Sequence, residues 1–243
     1  MRLPLSLSIA LNCVLLTALV AVAVRYKLFH KAQRVFLEEG RVPLVKRSYE
    51  LNRNYDAFRE IFAHYQDEER PILVLGDSHT AKLDWNAFLS RVDIAARGID
   101  GDTSEGLLHR LSDLDLNSVK TVVIWIGSND VLTGVSSKKL VENIQSIVGF
   151  FTSKGVSDIR VCAVMPLASW IDGAEVSNAK ISEANARLEE FCRANNVRFV
   201  DVAEVVADSK GYMSHEHTSD GLHLSASGYQ KVATSIFADE VSQ

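Results

Sequence analysis

From residue 71 onward the chain alternates short apolar runs with longer amphipathic segments, and this alternation constrains the fold more than any other feature. Strand candidates are Ile72–Leu75, Val92–Ala96, Thr121–Ile126, Ile159–Val164 and Arg198–Val200. Helix candidates fill the gaps at about residues 81–90, 104–112, 137–153, 178–195 and 225–239. Strand–helix–strand alternation of this kind predicts the α/β class, one parallel sheet covered by helices on both faces. Ligands of such sheets bind beyond the carboxyl ends of the strands. The residues that follow those ends are therefore the first candidates for a site: Ser78 after the first strand, Gly101 after the second and Asn129 after the third.

The length of 243 residues suits one domain with an appendage, and 47% hydrophobic content is ample for a packed core. A net charge of −5, with no basic stripe interleaved with aromatics, argues against a nucleic-acid partner. The three cysteines, Cys13, Cys162 and Cys192, form no CxxC pair, so neither a disulfide framework nor a zinc site is expected. No cofactor is implied.

The N-terminus differs in kind. Leu3 to Val24 is apolar apart from Ser6, Ser8, Asn12 and Thr17 and carries no charge. Roughly 20 such residues suffice for a helix to cross a bilayer core. Residues 1–25 therefore read as a transmembrane anchor or an uncleaved signal segment. The competing reading is a cleaved signal peptide, since Ala21-Val22-Ala23 has a small-x-small pattern. Arg25, Lys27, Lys31 and Arg34 follow the span, which by the positive-inside rule favours a cytoplasmic domain, whereas a signal-like start favours export. The expectation taken forward is a single-pass membrane protein with an extracytoplasmic, periplasmic catalytic domain. Residues 26–66 then form a juxtamembrane linker with an amphipathic helix, its apolar face at Tyr55, Phe58, Phe62 and Tyr65 packed on the main domain, residues 67–243.

Four segments carry chemistry. Pro71-Ile-Leu-Val-Leu-Gly-Asp-Ser78 ends an apolar run abruptly, delivering Ser78 where a helix begins, with Asp77 placed to cap that helix. Arg97-Gly-Ile-Asp-Gly101 brings a glycine whose N–H can approach a ligand closely. Trp125-Ile-Gly-Ser-Asn129 supplies a side-chain amide able to donate to an oxyanion. Asp220-Gly-Leu-His223 sets an acid three residues before an imidazole, which can take a serine proton around neutral pH. Together they constitute a serine nucleophile, a base and the group that orients the base.

In this order and spacing the four segments resemble the blocks of the SGNH (GDSL-type) esterase and acylhydrolase superfamily, from about Tyr49 to the C-terminus. The stretch RGIDGDTSEGLLHRL, residues 97–111, is similar to the bacterial branch related to platelet-activating-factor acetylhydrolase subunits. The resemblance implies a three-layer flavodoxin-like fold with a central parallel five-stranded sheet. It also implies a catalytic set of Ser78, Asp220 and His223, an oxyanion hole of Ser78, Gly101 and Asn129, and no metal. The expected activity is hydrolysis of carboxylic esters through an acyl-enzyme, on a small-molecule, glycan or lipid ester such as an O-acetyl ester or a lysophospholipid. The alternatives are an acyltransferase, or a membrane-tethered binding module without catalysis. One departure concerns the residue after the serine, usually apolar or β-branched in the family and here His79; it bears on the pocket lining and hence on substrate choice. His215 and His217 are expected in a loop at the rim of the site, and Trp170 and Met165 are candidate pocket residues with core or surface roles equally open. A metal cluster of His79, His215, His217, His223 and Asp220 lacks ligand spacing on one rigid element.

Overall fold

The strands predicted above pair into a single parallel sheet. The computed structural model describes residues 49, 52, 54–65 and 70–238. The sheet contains β1 (Ile72–Gly76), β2 (Ile94–Gly98), β3 (Thr121–Trp125), β4 (Asp158–Cys162) and β5 (Arg198–Val200). Their order is β2-β1-β3-β4-β5, the flavodoxin-like arrangement, in which all strands run parallel and the direction of strand addition reverses between β1 and β3. Gly76 at the end of β1 lies level with Gly98 of β2 and Trp125 of β3, so the loops that follow all three strands emerge together.

Side chains alternate across this sheet, as the period of a strand requires. Leu73, Leu75, Val122 and Ile124 face a layer of helices comprising α4 (Ser104–His109), α6 (Ser137–Ser153) and α7 (Ala174–Ala194). Ile72, Val74, Val123 and Trp125 face the opposite layer, α3 (Trp85–Leu89) and α8 (Ala226–Ile236). Burying each large apolar side chain between these layers stabilises by roughly 1.5–3 kcal/mol. Strands buried on both faces read as continuous apolar runs, which is why their positions were visible in the sequence.

Several expectations are corrected. The helix expected over 81–90 is two short helices, α2 (Ser78–Ala81) and α3, because the Asp84 side chain accepts from the Ala87 N–H and starts a new helix. The second strand begins at Ile94 rather than Val92, which is exposed. An unforeseen five-residue helix, α5 (Ser128–Leu132), follows β3. Met165 belongs to the core on the α8 side. Cys162 and Cys192 are buried free thiols.

The expected membrane span, Cys13 and most of the linker lie outside the described residues. Among the described residues no helix is long and apolar enough to cross a membrane. Helix α1 (Tyr55–Ala63) packs on the domain with half of its expected stripe: Tyr55 and Phe62 are buried with Tyr49 and Ile99, whereas Phe58 and Tyr65 are exposed. The Arg59–Asp113 ion pair at 2.7 Å and the Arg97 guanidinium over the rings of Phe62 and Tyr65 hold the helix in place.

Candidate active site

The turn after β1 is shaped by close approach. A Cβ on Gly98 of the neighbouring strand would lie 2.4 Å from the Ala81 nitrogen and 2.7 Å from the Asp77 carbonyl oxygen, so only glycine lets α2 sit there. Asp77 caps α2 by accepting from the His79 N–H at 3.0 Å, the role its position in the sequence suggests. Ser78 is thereby set at the first position of α2, 7% exposed.

Ser78 and the Asp220–His223 loop, 145 residues apart in sequence, meet here. The Ser78 Oγ lies 3.1 Å from His223 Nε2, and His223 Nδ1 lies 2.7 Å from Asp220 Oδ2. The other carboxylate oxygen of Asp220 accepts the N–H of Leu222 at 2.9 Å and of His223 at 2.7 Å. Burial opposes its charge, but the donors from His223 and the backbone N–H groups hold the Asp220 carboxyl well below the usual carboxylate range. An ionised Asp220 favours the tautomer with the proton on Nδ1, leaving the Nε2 lone pair toward Ser78.

The oxyanion candidates converge on the same turn. Gly101 adopts φ +75°, a Cβ there would stand 3.6 Å from Asn52 Nδ2, and its loop is tethered by that same Nδ2, which donates to the Asp100 carbonyl at 2.6 Å. Among the described residues, neither the Ser78 nor the Gly101 N–H meets a protein acceptor. Asn129, in the first turn of α5, donates from Nδ2 to the Asp102 carbonyl at 2.9 Å and makes a long contact, 3.4 Å, to Asp77 Oδ2. The amide is thus oriented through one N–H, and the other is weakly engaged.

Beneath the loops lies a buried polar layer that sequence reasoning missed. Arg110 pairs with Asp102 at 2.9 Å and donates to the Gly76 carbonyl at 3.1 Å, joining the β2–α4 loop to the end of β1. Asp130 accepts both the N–H and the hydroxyl of Ser104, and Asn143 donates to that hydroxyl at 2.8 Å. Burial lifts the Asp130 carboxyl to about 7 and the Asp102 carboxyl to about 6, the latter partly countered by Arg110. The signal for this layer was only a run of polar residues following the strands.

The histidines separate by environment. His79 does not line a pocket: it is 2% exposed, beneath the turn, between Asp77 and the Leu222 carbonyl. His215 stacks on the exposed Trp170, centroids 3.7 Å apart, and the Trp170 indole nitrogen abuts Gly221 beside the Asp220–His223 loop. His217 is buried against Ser227 rather than at a rim. Among the described residues, no group of three or more His, Cys, Asp or Glu is arranged to hold a metal ion.

Comparison with known proteins places this geometry in context. A family model for the GDSL-like lipase/acylhydrolase family matches residues 74–231. Platelet-activating factor acetylhydrolase IB subunit alpha2 of Gallus gallus is 27% identical over 175 residues, covering 69% of this chain and 74% of the relative. N-acylneuraminate cytidylyltransferase of Streptococcus agalactiae is 26% identical over 186 residues, or 76% of this chain, and the match spans only 42% of that relative's length. The crystal structure of a GDSL-like lipase from Bacteroides thetaiotaomicron aligns with a TM-score of 0.66 at 25% identity, covering 80% of this chain and 100% of that one.

Proposed function

Because the chain belongs to the GDSL-like lipase/acylhydrolase family and is an ester hydrolase of that class, we propose that it cleaves carboxylic esters through an acyl-enzyme on Ser78. The observation that carries this reading is the Ser78–His223–Asp220 relay, with contacts of 3.1 and 2.7 Å. The Ser78 oxygen attacks the acyl carbon as its proton passes to His223 Nε2. The tetrahedral oxyanion is met by the N–H groups of Ser78 and Gly101 and the Asn129 amide. The imidazolium, held by Asp220, then gives its proton to the departing alkoxide, which leaves as the alcohol. Water, deprotonated by the same nitrogen, attacks the acyl carbon, and Ser78 recovers its proton as the acid is released.

The substrate class we favour is an acetyl or other short acyl ester on a sugar or lipid alcohol. The name of one relative, an acetylhydrolase subunit, supports the short acyl group. In this reading the apolar run Leu3–Val24 anchors the chain as a single-pass protein with the catalytic domain in the periplasm.

A p-nitrophenyl ester series from acetate to palmitate tests the activity, and release of acetate from acetylated glycans against fatty acid from lysolipid tests the substrate class. Short esters should turn over fastest, and Ser78→Ala should lose turnover. Undiminished hydrolysis by folded Ser78→Ala protein would sink the mechanism.

A further inference from the structure

His79 is buried with both ring nitrogens against acceptors. Its Nδ1 lies 3.1 Å from Asp77 Oδ1 and its Nε2 lies 3.0 Å from the Leu222 carbonyl oxygen. A neutral imidazole has one N–H and one lone pair, so either tautomer sets a lone pair against an oxygen lone pair in a dry site. Only the imidazolium donates to both. Asp77 Oδ1 also accepts the His79 backbone N–H at 3.0 Å and its Oδ2 faces the Asn129 amide donor at 3.4 Å, so both carboxyl oxygens meet donors and the shared proton is assigned to the ring.

The Leu222 carbonyl belongs to the peptide unit that leads into His223. The N–H of that unit donates to Asp220 Oδ1 at 2.7 Å, and its C=O accepts from His79 at 3.0 Å. One peptide plane is therefore pinned at both edges, and the Cα–Cβ bond of His223 hangs from it. At its other end Asp77 faces Asn129 at 3.4 Å. The charged and titratable groups facing the ring are Asp77 from its own turn and, from the opposite loop, Asp220 and His223, whose ring centroid is 5.8 Å away. From α8, the Tyr229 hydroxyl donates to the His79 carbonyl at 2.9 Å, and from β3 the uncharged Trp125 ring lies at 5.2 Å.

We infer that His79 is a positioning residue, held as an imidazolium between Asp77 and the Leu222 carbonyl, whose proton fastens the loop bearing His223 to the turn bearing Ser78. Burial opposes the charge, but the Asp77 hydrogen bond and charge, the Leu222 carbonyl and the Asp220 charge together raise the pKa of His79 above the ordinary histidine value. Loss of this proton at alkaline pH frees the Leu222 carbonyl and lets His223 drift from Ser78. A misplacement of about 1 Å can cost on the order of 10²-fold in rate.

The inference rests on the Ser78–His223 reading, and two measurements keep them apart. In full-length Ser78→Ala protein, long-range ¹H–¹⁵N correlation should show both ring nitrogens of His79 protonated at pH 7 and a neutral ring in the Asp77→Asn derivative. A neutral ring at pH 7 in the parent overturns the inference whether or not any ester is cleaved. In the Ser78 enzyme, His79→Leu should lower kcat about 10²-fold with KM within about threefold. His79→Gln, which keeps an amide donor for Leu222 but cannot titrate, should recover most of kcat and flatten the alkaline fall. Unchanged kcat in folded His79→Leu protein also overturns it, and should that variant not fold, the ring signals decide. A doubly protonated His79 combined with full hydrolysis by Ser78→Ala would instead count against the nucleophile and leave the charge state standing.

Discussion

Asn129 shows how one side chain is prepared for charge that is absent in the ground state. One amide N–H is spent on the Asp102 carbonyl, and that bond fixes the direction of the other, whose only described acceptor is the Asp77 carboxylate at 3.4 Å. Exchanging so long a contact for an oxyanion costs little and gains a charge-assisted bond. Asn129→Ala should therefore reduce kcat by roughly 10²–10³ with little change in KM, as removal of one oxyanion donor does. Steady-state kinetics on a short ester, beside an unchanged melting temperature, checks this. Its neighbour Asp130 makes a different demand. With a carboxyl lifted by burial to about 7, the folded protein holds a proton there that the unfolded chain, near 4, does not. Stability from this group is therefore lost as pH rises from about 4 to about 7, at most by about 1.4 kcal/mol per pH unit. His79, with its raised pKa, acts in the same direction: its contribution is full below about 6.5 and is lost as pH rises through the folded value. Denaturant titrations between pH 5 and 8 should show wild-type stability falling, and Asp130→Asn should make the slope shallower without abolishing it.

At the scale of elements, the site depends on how closely β2 and α2 approach. A methyl group at residue 98 would stand 2.4 Å from a backbone nitrogen of α2, and backbone cannot rotate aside as a side chain can. Gly98→Ala should cost roughly 1–3 kcal/mol of stability, as overpacking does, and move Ser78 off its partner, so that activity falls further than stability explains. Comparing kcat at a temperature where both proteins are fully folded isolates the second effect. The same elements show what the sequence could and could not carry. Strands β1 and β3, buried on both faces, are continuous apolar runs, so their positions were legible, whereas the carboxyl ends of β2, β3 and β4 fell one or two residues from those expected. Helix α6 was found with its observed limits because its amphipathic stripe repeats over several turns. Helices of four or five residues span little more than one turn, too short for an amphipathic pattern, so α5, which carries Asn129, was not foreseen and α2, which carries Ser78, was marked only by its Asp77 cap. The role of His79 was illegible for another reason: its partner is the Leu222 carbonyl, 143 residues away, and a backbone oxygen leaves no mark in a sequence.

At the scale of the whole domain, the segment before β1 bears on the site it precedes. Tyr55 and Phe62 of α1 close a small core over Ile99, two residues before Gly101, and Tyr55 donates to the Gly106 carbonyl of α4. Asn52 reaches the Asp100 carbonyl, so the turn presenting the Gly101 N–H is held from the N-terminal side as well as by its own strand. Two substitutions separate support of the fold from support of the turn. Phe62→Ala removes a buried ring and should cost about 3 kcal/mol or more, a large fraction of a domain's total stability. Its kcat, measured well below the new melting temperature, should stay near the wild-type value. The ring supports the turn from below, through Ile99 and the Arg97 and Arg110 guanidinium groups, and Arg110 keeps its bonds to Asp102 and the Gly76 carbonyl. Asn52→Ala removes two hydrogen bonds, the donation to the Asp100 carbonyl and an exposed, local acceptance of the Asn54 N–H at 3.1 Å. The first, worth about 0.5–1.5 kcal/mol, steadies a loop with φ +75° at Gly101 rather than a core contact. Its melting temperature should barely move, while kcat should fall by a factor of roughly 2–10, the rate equivalent of that bond. If Asn52→Ala instead lost stability and kept its rate, Asn52 would support only the fold, and the Gly101 turn would be held by its own strand alone.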